Sequence, residues 1–210
     1  MRVKKNFTFC YDPLTDYSHS KLNFKGYYVR VIPFERPHYD WKTGKKIGST
    51  KDTIYSNMLF FDNGLFVRRF KQVGCGNCDI KSNTEYLWDV KNNKQPSTDL
   101  FYTTFVWGLY KIEGNIVKTQ SVNRQSWPNP YWYLVEIGYE ITDGNTLVQL
   151  YSKDLIENKE LSPNSDDTIP FQFIETNILL PSDTWLKGEK WFWCDKEEYK
   201  KWKREKRKKK

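Results

Sequence analysis

Histidine is almost missing from this 210-residue sequence. There are two, His19 in "DYSHSK" and His38 in "RPHYDW". Neither has an HExxH-type spacing or a nucleophile elbow nearby, so zinc-hydrolase and triad chemistry lack a donor set. Cysteine is also scarce. Of the four, Cys75 and Cys78 form one C-x-x-C in "GCGNCD", whereas a structural zinc site normally needs a second pair of ligands. The remaining candidates, Cys10, Cys194, His19 and His38, are all distant in sequence. Gly74, Gly76 and Asn77 mark a loop between strands, not the strand-to-helix junction on which a redox dithiol depends. The expectation is a hairpin end or a local disulfide, with Cys75 and Cys78 only weak candidates for a metal.

No apolar run approaches eighteen residues and the mean hydropathy is −0.79, so no transmembrane helix is expected. In the N-terminal "MRVKKNFTFC" only Phe7 and Phe9 stand ahead of Cys10, too little for a secretory apolar region. No export signal is read from the sequence. The net charge of +8 has a location. The stretch "DKEEYKKWKREKRKKK", 195–210, holds ten Lys or Arg against four acids, which leaves a nearly neutral body. A basic nucleic-acid-binding face on the body is therefore not argued by the charge.

What the sequence does have is rings: 9 Trp, 14 Tyr and 13 Phe, which favour pleated strands and large apolar contacts. It also has hairpin turns. In "NMLFFDNGLFVRRF" a two-residue loop at Asn63-Gly64 would set Phe61 opposite Phe66, Leu59 opposite Arg68 and Phe60 opposite Val67. In "WGLYKIEGNIVKTQ" a loop at Gly114-Asn115 would pair Ile112 with Val117 and Tyr110 with Thr119, with Lys111 and Lys118 on the opposite face. In "YWYLVEIGYEITDGNTLVQLYS" residues 133, 135, 137, 139 and 141 are apolar or aromatic in strict alternation. Folding back at Gly144-Asn145 would place Ile141 by Val148, Tyr139 by Leu150 and Glu140 by Gln149.

Three hairpins make six strands. The segment 21–34 precedes them, and an extended piece such as 170–177 or 189–193 follows, for about eight. Consecutive short-looped hairpins predict an all-β, up-and-down antiparallel barrel, with a curved open sheet or a sandwich as the alternative. The boundaries read as an N-terminal extension over 1–20, a barrel over 21–194, and a basic C-terminal helix or tail over 195–210. Asp195 with Glu198 has capping-box-like spacing and Tyr199 sits at i, i+3 from Trp202, so the tail is helical to about 206. Gly, Pro, Asn, Ser and charge assign 35–52, 73–83, 90–99, 124–132 and 157–170 to loops.

The strand pattern, with "GYY", "FFDNGLFV" and "WGLYKIEGNIV" in this order, resembles the lipocalin-like barrels of uncharacterised bacterial lipoproteins. The resemblance covers about residues 24–194 and rests on turn and packing motifs. It implies an eight-stranded calycin-type barrel in the bacterial cell envelope, anchored through an N-terminal lipidated cysteine. Cys10 stands ahead of the first strand, without a lipobox before it. The resemblance carries no catalytic residue.

If the barrel closes, its first and last strands are neighbours, which brings Cys10 and Cys194 within reach of a disulfide in an exported protein. Two unrelated free thiols are the alternative. Glu136 and Glu140 share a strand face opposite a wholly apolar one and are expected outside the barrel. The pair Asp166-Asp167 lies in a loop where solvated surface is the default.

The functional expectation is a non-catalytic, lipocalin-like binder of a small apolar or sugar-like ligand, without a cofactor. Tyr39 and Trp41 in "RPHYDWK" and Trp127, Tyr131 and Trp132 in "SWPNPYWY" would form an aromatic mouth. The competing reading is a structural or protein-interaction barrel with a filled lumen. Lys203, Arg204, Lys206, Arg207, Lys208, Lys209 and Lys210 offer contact with an anionic membrane surface, and nucleic acid is not an expected partner.

Overall fold

The computed structural model describes residues 5–73, 105–124, 132–163, 165–177, 182 and 184–208. Nine strands are described: β1 (Gly26–Tyr39), β2 (Lys46–Phe60), β3 (Leu65–Val73), β4 (Phe105–Glu113), β5 (Ile116–Arg124), β6 (Trp132–Ile141), β7 (Thr146–Asp154), β8 (Lys159–Glu160) and β9 (Phe171–Glu175). An α-helix, α1 (Lys196–Lys208), follows the strands. The strands β1 to β7 form a continuous antiparallel meander from β1 to β7, and β9 inserts between β7 and β1. The ring is therefore an eight-stranded barrel with no free sheet edge, β8 lying outside it against β7. The closing strand is 171–175. Residues 190–192 form a 3₁₀ turn instead of a strand.

The period-two alternation splits the apolar residues into two layers. The inner layer takes Tyr28, Met58, Phe60, Phe66, Tyr110, Val117, Ile137, Tyr139, Leu147 and Phe171, one or more from every barrel strand. The outer layer holds Tyr27, Val29, Tyr55, Leu59, Leu65, Val67, Trp107, Leu109, Val122 and Leu134. An outer wall this apolar needs a cover, and the chain termini supply it. Phe7, Phe9 and Tyr11 from one end and Leu186, Phe192 and Trp193 from the other are buried in the same cluster. Tyr11 and Trp193 form a parallel bridge, and the Tyr11 ring stacks on Phe192 at 5.9 Å.

Two links fix this cover. Fully buried Gln120 accepts hydrogen bonds from the amides of Thr8 and Phe9 through Oε1, at 3.0 and 3.1 Å. Its Nε2 donates to Thr8 Oγ1 and Glu136 Oε2, both at 2.7 Å. The second link is the Cys10–Cys194 disulfide, which spans 184 residues. These cysteines meet on the segments that cover the barrel, not on adjacent closing strands. With its sulfur in a disulfide, Cys10 has no thiol left to carry a thioether-linked lipid, so the anchor implied by the resemblance does not fall on this residue.

The hairpin at Gly114-Asn115 has the expected register, Ile112 opposite Val117 and Tyr110 opposite Thr119. Gly114 alone takes a positive φ there, 65°, as a type II′ turn requires. The other two hairpins are shifted by one residue. Phe60 faces Phe66 and Leu59 faces Val67, because the loop is Asp62-Asn63-Gly64 with Gly64 at φ 81°. The amide of Gly64 donates back to Phe61 O, giving the three-residue loop with a left-handed glycine at its end. This slip moves Phe61 outward against Trp107 and brings Phe60 inward. In the β6–β7 hairpin Ile141 faces Leu147 and Tyr139 faces Gln149, but a bulge between Gly138 and Tyr139 restores the expected register, with Gly138 facing Tyr151.

The segment 35–52 is a correction. Most of it is strand: β1 and β2 pair from Tyr28/Met58 to Tyr39/Lys46 with a bulge between His38 and Tyr39, and only 40–45 form the connecting turn. The pairing of β1 with β9 stops at Val29 and that of β2 with β3 starts at Ile54, so from Pro33/Thr53 onward the ribbon pairs with no other strand among the described residues. Its length is about 20 Å at roughly 3.4 Å per residue. The segment 157–170 is likewise not all loop, since it carries β8 and a 3₁₀ turn at Ser165–Thr168.

Candidate functional site

Rings fill one end of the lumen. Phe60 packs edge-on against Tyr28 and Tyr110 and stacks with Phe66, with centroids 5.1–5.9 Å apart. Toward the other end, where the free ribbon leaves, the packing stops and a cavity of about 260 Å³ remains. Ile32, Met58, Val135, Ile137, Leu161 and Phe171 give it an apolar sleeve. Arg30, Arg68, Tyr139, Gln149, Ser152 and Asp167 give it a polar wall.

Arg30 organises that wall. Alternation from Tyr28 puts it on the inner face, where it is 4% exposed, so a full charge is removed from water. The guanidinium is compensated. Nη1 donates to Asp167 Oδ1 at 3.0 Å, Nη2 donates to Gln149 Oε1 at 3.2 Å and to the Asp167 carbonyl at 3.4 Å, and the group lies 4.2 Å from the Phe171 ring centroid. Asp167 comes from the 3₁₀ turn Ser165–Thr168, so this pair also ties the turn to the barrel. The sequence reading placed Asp167 on solvated surface; the geometry gives it a buried partner instead.

Tyr139 completes the polar wall. Burial raises its phenol pKa, and the charges of Arg68 and Arg30 with a hydrogen bond from Arg68 oppose that rise. The neutral phenol and its two arginine neighbours form an array of donors and acceptors around an apolar sleeve. Such an arrangement orients a molecule with an apolar body and a polar end. Glu136 and Glu140 face away from it. Glu136 accepts from Gln120 and from Tyr151 Oη, and Glu140 accepts from Asn115 Nδ2 at 3.0 Å.

Of the aromatic mouth expected from the sequence, only the Tyr39 and Trp41 side chains are among those described. Tyr39 and Trp41 sit at the tip of the ribbon, 59% and 86% exposed, and neither lines the cavity. Trp132 opens β6, while Trp127 and Tyr131 lie outside the described residues, as do Cys75 and Cys78. The residues that do line the cavity left one readable trace. Arg30 interrupts "GYYVRVIPF" on the same parity as Tyr28 and Ile32, and a lone cation on an otherwise apolar strand face points to a built partner. No family profile, no curated protein and no solved structure matches the chain.

Proposed function

We propose that this protein is a non-catalytic carrier or receptor barrel whose cavity takes a small amphipathic molecule. The observation that carries the reading is the cavity itself, open beside a buried Arg30 whose two terminal nitrogens are held by Asp167 and Gln149, in a lumen otherwise filled with rings. Its volume lies just under the range of about 300–1,000 Å³ usual for ligand pockets, so the occupant is small. An apolar body against Ile32, Ile137 and Phe171 with a hydrogen-bonding head toward Arg68 and Tyr139 matches the lining. The Cys10–Cys194 disulfide supports a working place in an oxidising compartment.

Thermal-shift and fluorescence titrations against short-chain fatty acids, aromatic acids and monosaccharides test the reading. A ligand should raise the melting temperature of the native protein, and Ile137→Trp, which fills the sleeve, should abolish that shift. If no ligand binds and Ile137→Trp simply stabilises the barrel, the second reading holds. That reading, a structural or protein-interaction barrel, is favoured by the ring packing that already fills the closed end.

A further inference from the structure

The free ribbon of β1 and β2 is not needed to close the barrel, yet it is built with care. Asp40 Oδ1 accepts from the amides of Lys42 and Thr43 and from Thr43 Oγ1, at 2.7–3.0 Å. Gly44 turns at φ 66°, and the Asp40 amide donates to Lys45 O at 2.8 Å. These hydrogen bonds hold the Asp40 carboxyl below its usual pKa and so keep it charged. Down the shaft, Arg36 pairs with Asp52 at 2.5 Å, Ser49 donates to Glu35, and His38 meets Thr50.

A turn this ordered presents a defined set of side chains. Trp41 is 86% exposed, Ile47 69% and Tyr39 59%, all within the last ranks of the ribbon. Around them stand Lys42, Lys45 and Lys46, against the single carboxylate of Asp40. The Lys42 ammonium rests 5.1 Å from the Trp41 ring centroid. Large exposed apolar side chains ringed by polar groups mark an interaction site.

We propose that the ribbon tip is a wedge for an anionic lipid surface, with Trp41, Tyr39 and Ile47 entering the interface and the lysines holding the headgroups. Trp and Tyr partition to the level of lipid headgroups, and lysines near an anionic leaflet add attraction that salt screens. A protein partner fits the tip less well. Pro33 and Pro37 share one parity on a strand that keeps its ladder with β2, so both missing amide donors face the open edge and block strand addition there. Three apical side chains are also far short of the roughly 800 Å² each partner gives to a stable protein interface. A convex tip offers no groove along which a nucleic-acid backbone could run. The proposal does not rest on the cavity or its ligand.

Flotation of the full chain with phosphatidylcholine vesicles, with and without phosphatidylglycerol, is the test. The native protein should float with the anionic vesicles and release as salt rises. Trp41→Ser with Ile47→Ser, and separately Lys42→Glu with Lys45→Glu and Lys46→Glu, should each weaken binding by about tenfold or more while the melting temperature stays unchanged. Brominated lipid should quench part of the native tryptophan emission, and that part should disappear in Trp41→Phe. The proposal is overturned if the native protein does not float, or if tip variants float undiminished while charge reversal at 203–208 releases the protein. Loss of an acidic peptide's binding in the tip variants, with no vesicle binding by the native chain, would assign the tip to a protein partner instead.

Discussion

Arg30 and Asn57 are both buried polar residues on neighbouring strands, and they behave oppositely because one is compensated and the other is not. Arg30 has Asp167, Gln149 and the Phe171 ring around it. Breaking a buried pair strands the remaining charge, so Arg30→Ala should lower stability by about 3–5 kcal/mol in urea titration. Arg30→Met, which keeps the volume but still strands Asp167, should recover only part of that loss. Asn57 is 1% exposed, lies opposite Val29, and among the described residues neither its Oδ1 nor its Nδ2 has a partner. Removing such an amide also removes its desolvation penalty, so Asn57→Leu should raise the urea midpoint by the equivalent of about 1 kcal/mol. An unchanged or lower midpoint would mean that the amide is satisfied in solution. The sequence reading singles out neither residue. The oddity of Arg30 is visible within eight residues, but Asp167 lies 137 positions away, and a partner at that distance is set by topology rather than by pattern.

At the level of elements, the hairpins show where pattern is sufficient and where it is not. The Gly114-Asn115 turn is legible because its two-residue loop and its alternation give the same register. At Asp62-Asn63-Gly64 and Asp143-Gly144-Asn145 an acidic residue precedes the Gly/Asn pair, and its extra place in the loop slips the pairing by one. Asp143 takes part directly, its Oδ1 accepting from the Asn145 amide at 2.9 Å. The free ribbon was hidden for a different reason. Pro, Gly, Lys and Asp over 35–52 are what a solvated two-stranded ribbon and a loop have in common, since neither buries a face. The same physics makes a prediction. Because residues 35–51 are exposed or nearly so, replacing 36–50 by a short turn should leave the melting temperature of the barrel within a few degrees. A large drop measured by calorimetry would show that the ribbon contributes to the core.

For the whole molecule, the terminal cover and the tyrosine-rich interior set the response to reductant and to alkali. Reducing the Cys10–Cys194 disulfide frees a 184-residue loop and loosens the cover over Trp107, Leu65 and Leu134. The double Cys→Ser variant should lose about 2–5 kcal/mol and bind a dye for exposed apolar surface, provided that Gln120 alone does not hold the N-terminal segment. Equal stability of the oxidised and reduced forms would assign the cover to Gln120 and the ring contacts. Alkali acts through the phenols. Burial raises Tyr28 to about 12; burial and the Glu136 carboxylate raise Tyr151 to about 12; burial raises Tyr110 further still. The ordinary tyrosine value is about 10. A group whose pKa is raised by folding gives its full contribution below the unfolded value and loses it as pH rises through the folded one. Stability should therefore be level from neutrality to roughly pH 9, then fall between about 10 and 12 as the unfolded chain releases protons that the barrel retains. Urea midpoints across that range should track it, with tyrosinate absorbance appearing together with the loss of strand circular dichroism. Tyr110 Oη donates to Phe61 O at 2.6 Å, so Tyr110→Phe should cost stability at neutral pH yet flatten the alkaline slope by about one proton. An unaltered slope, or phenols that ionise near pH 10 with the barrel intact, would show that these rings are wet.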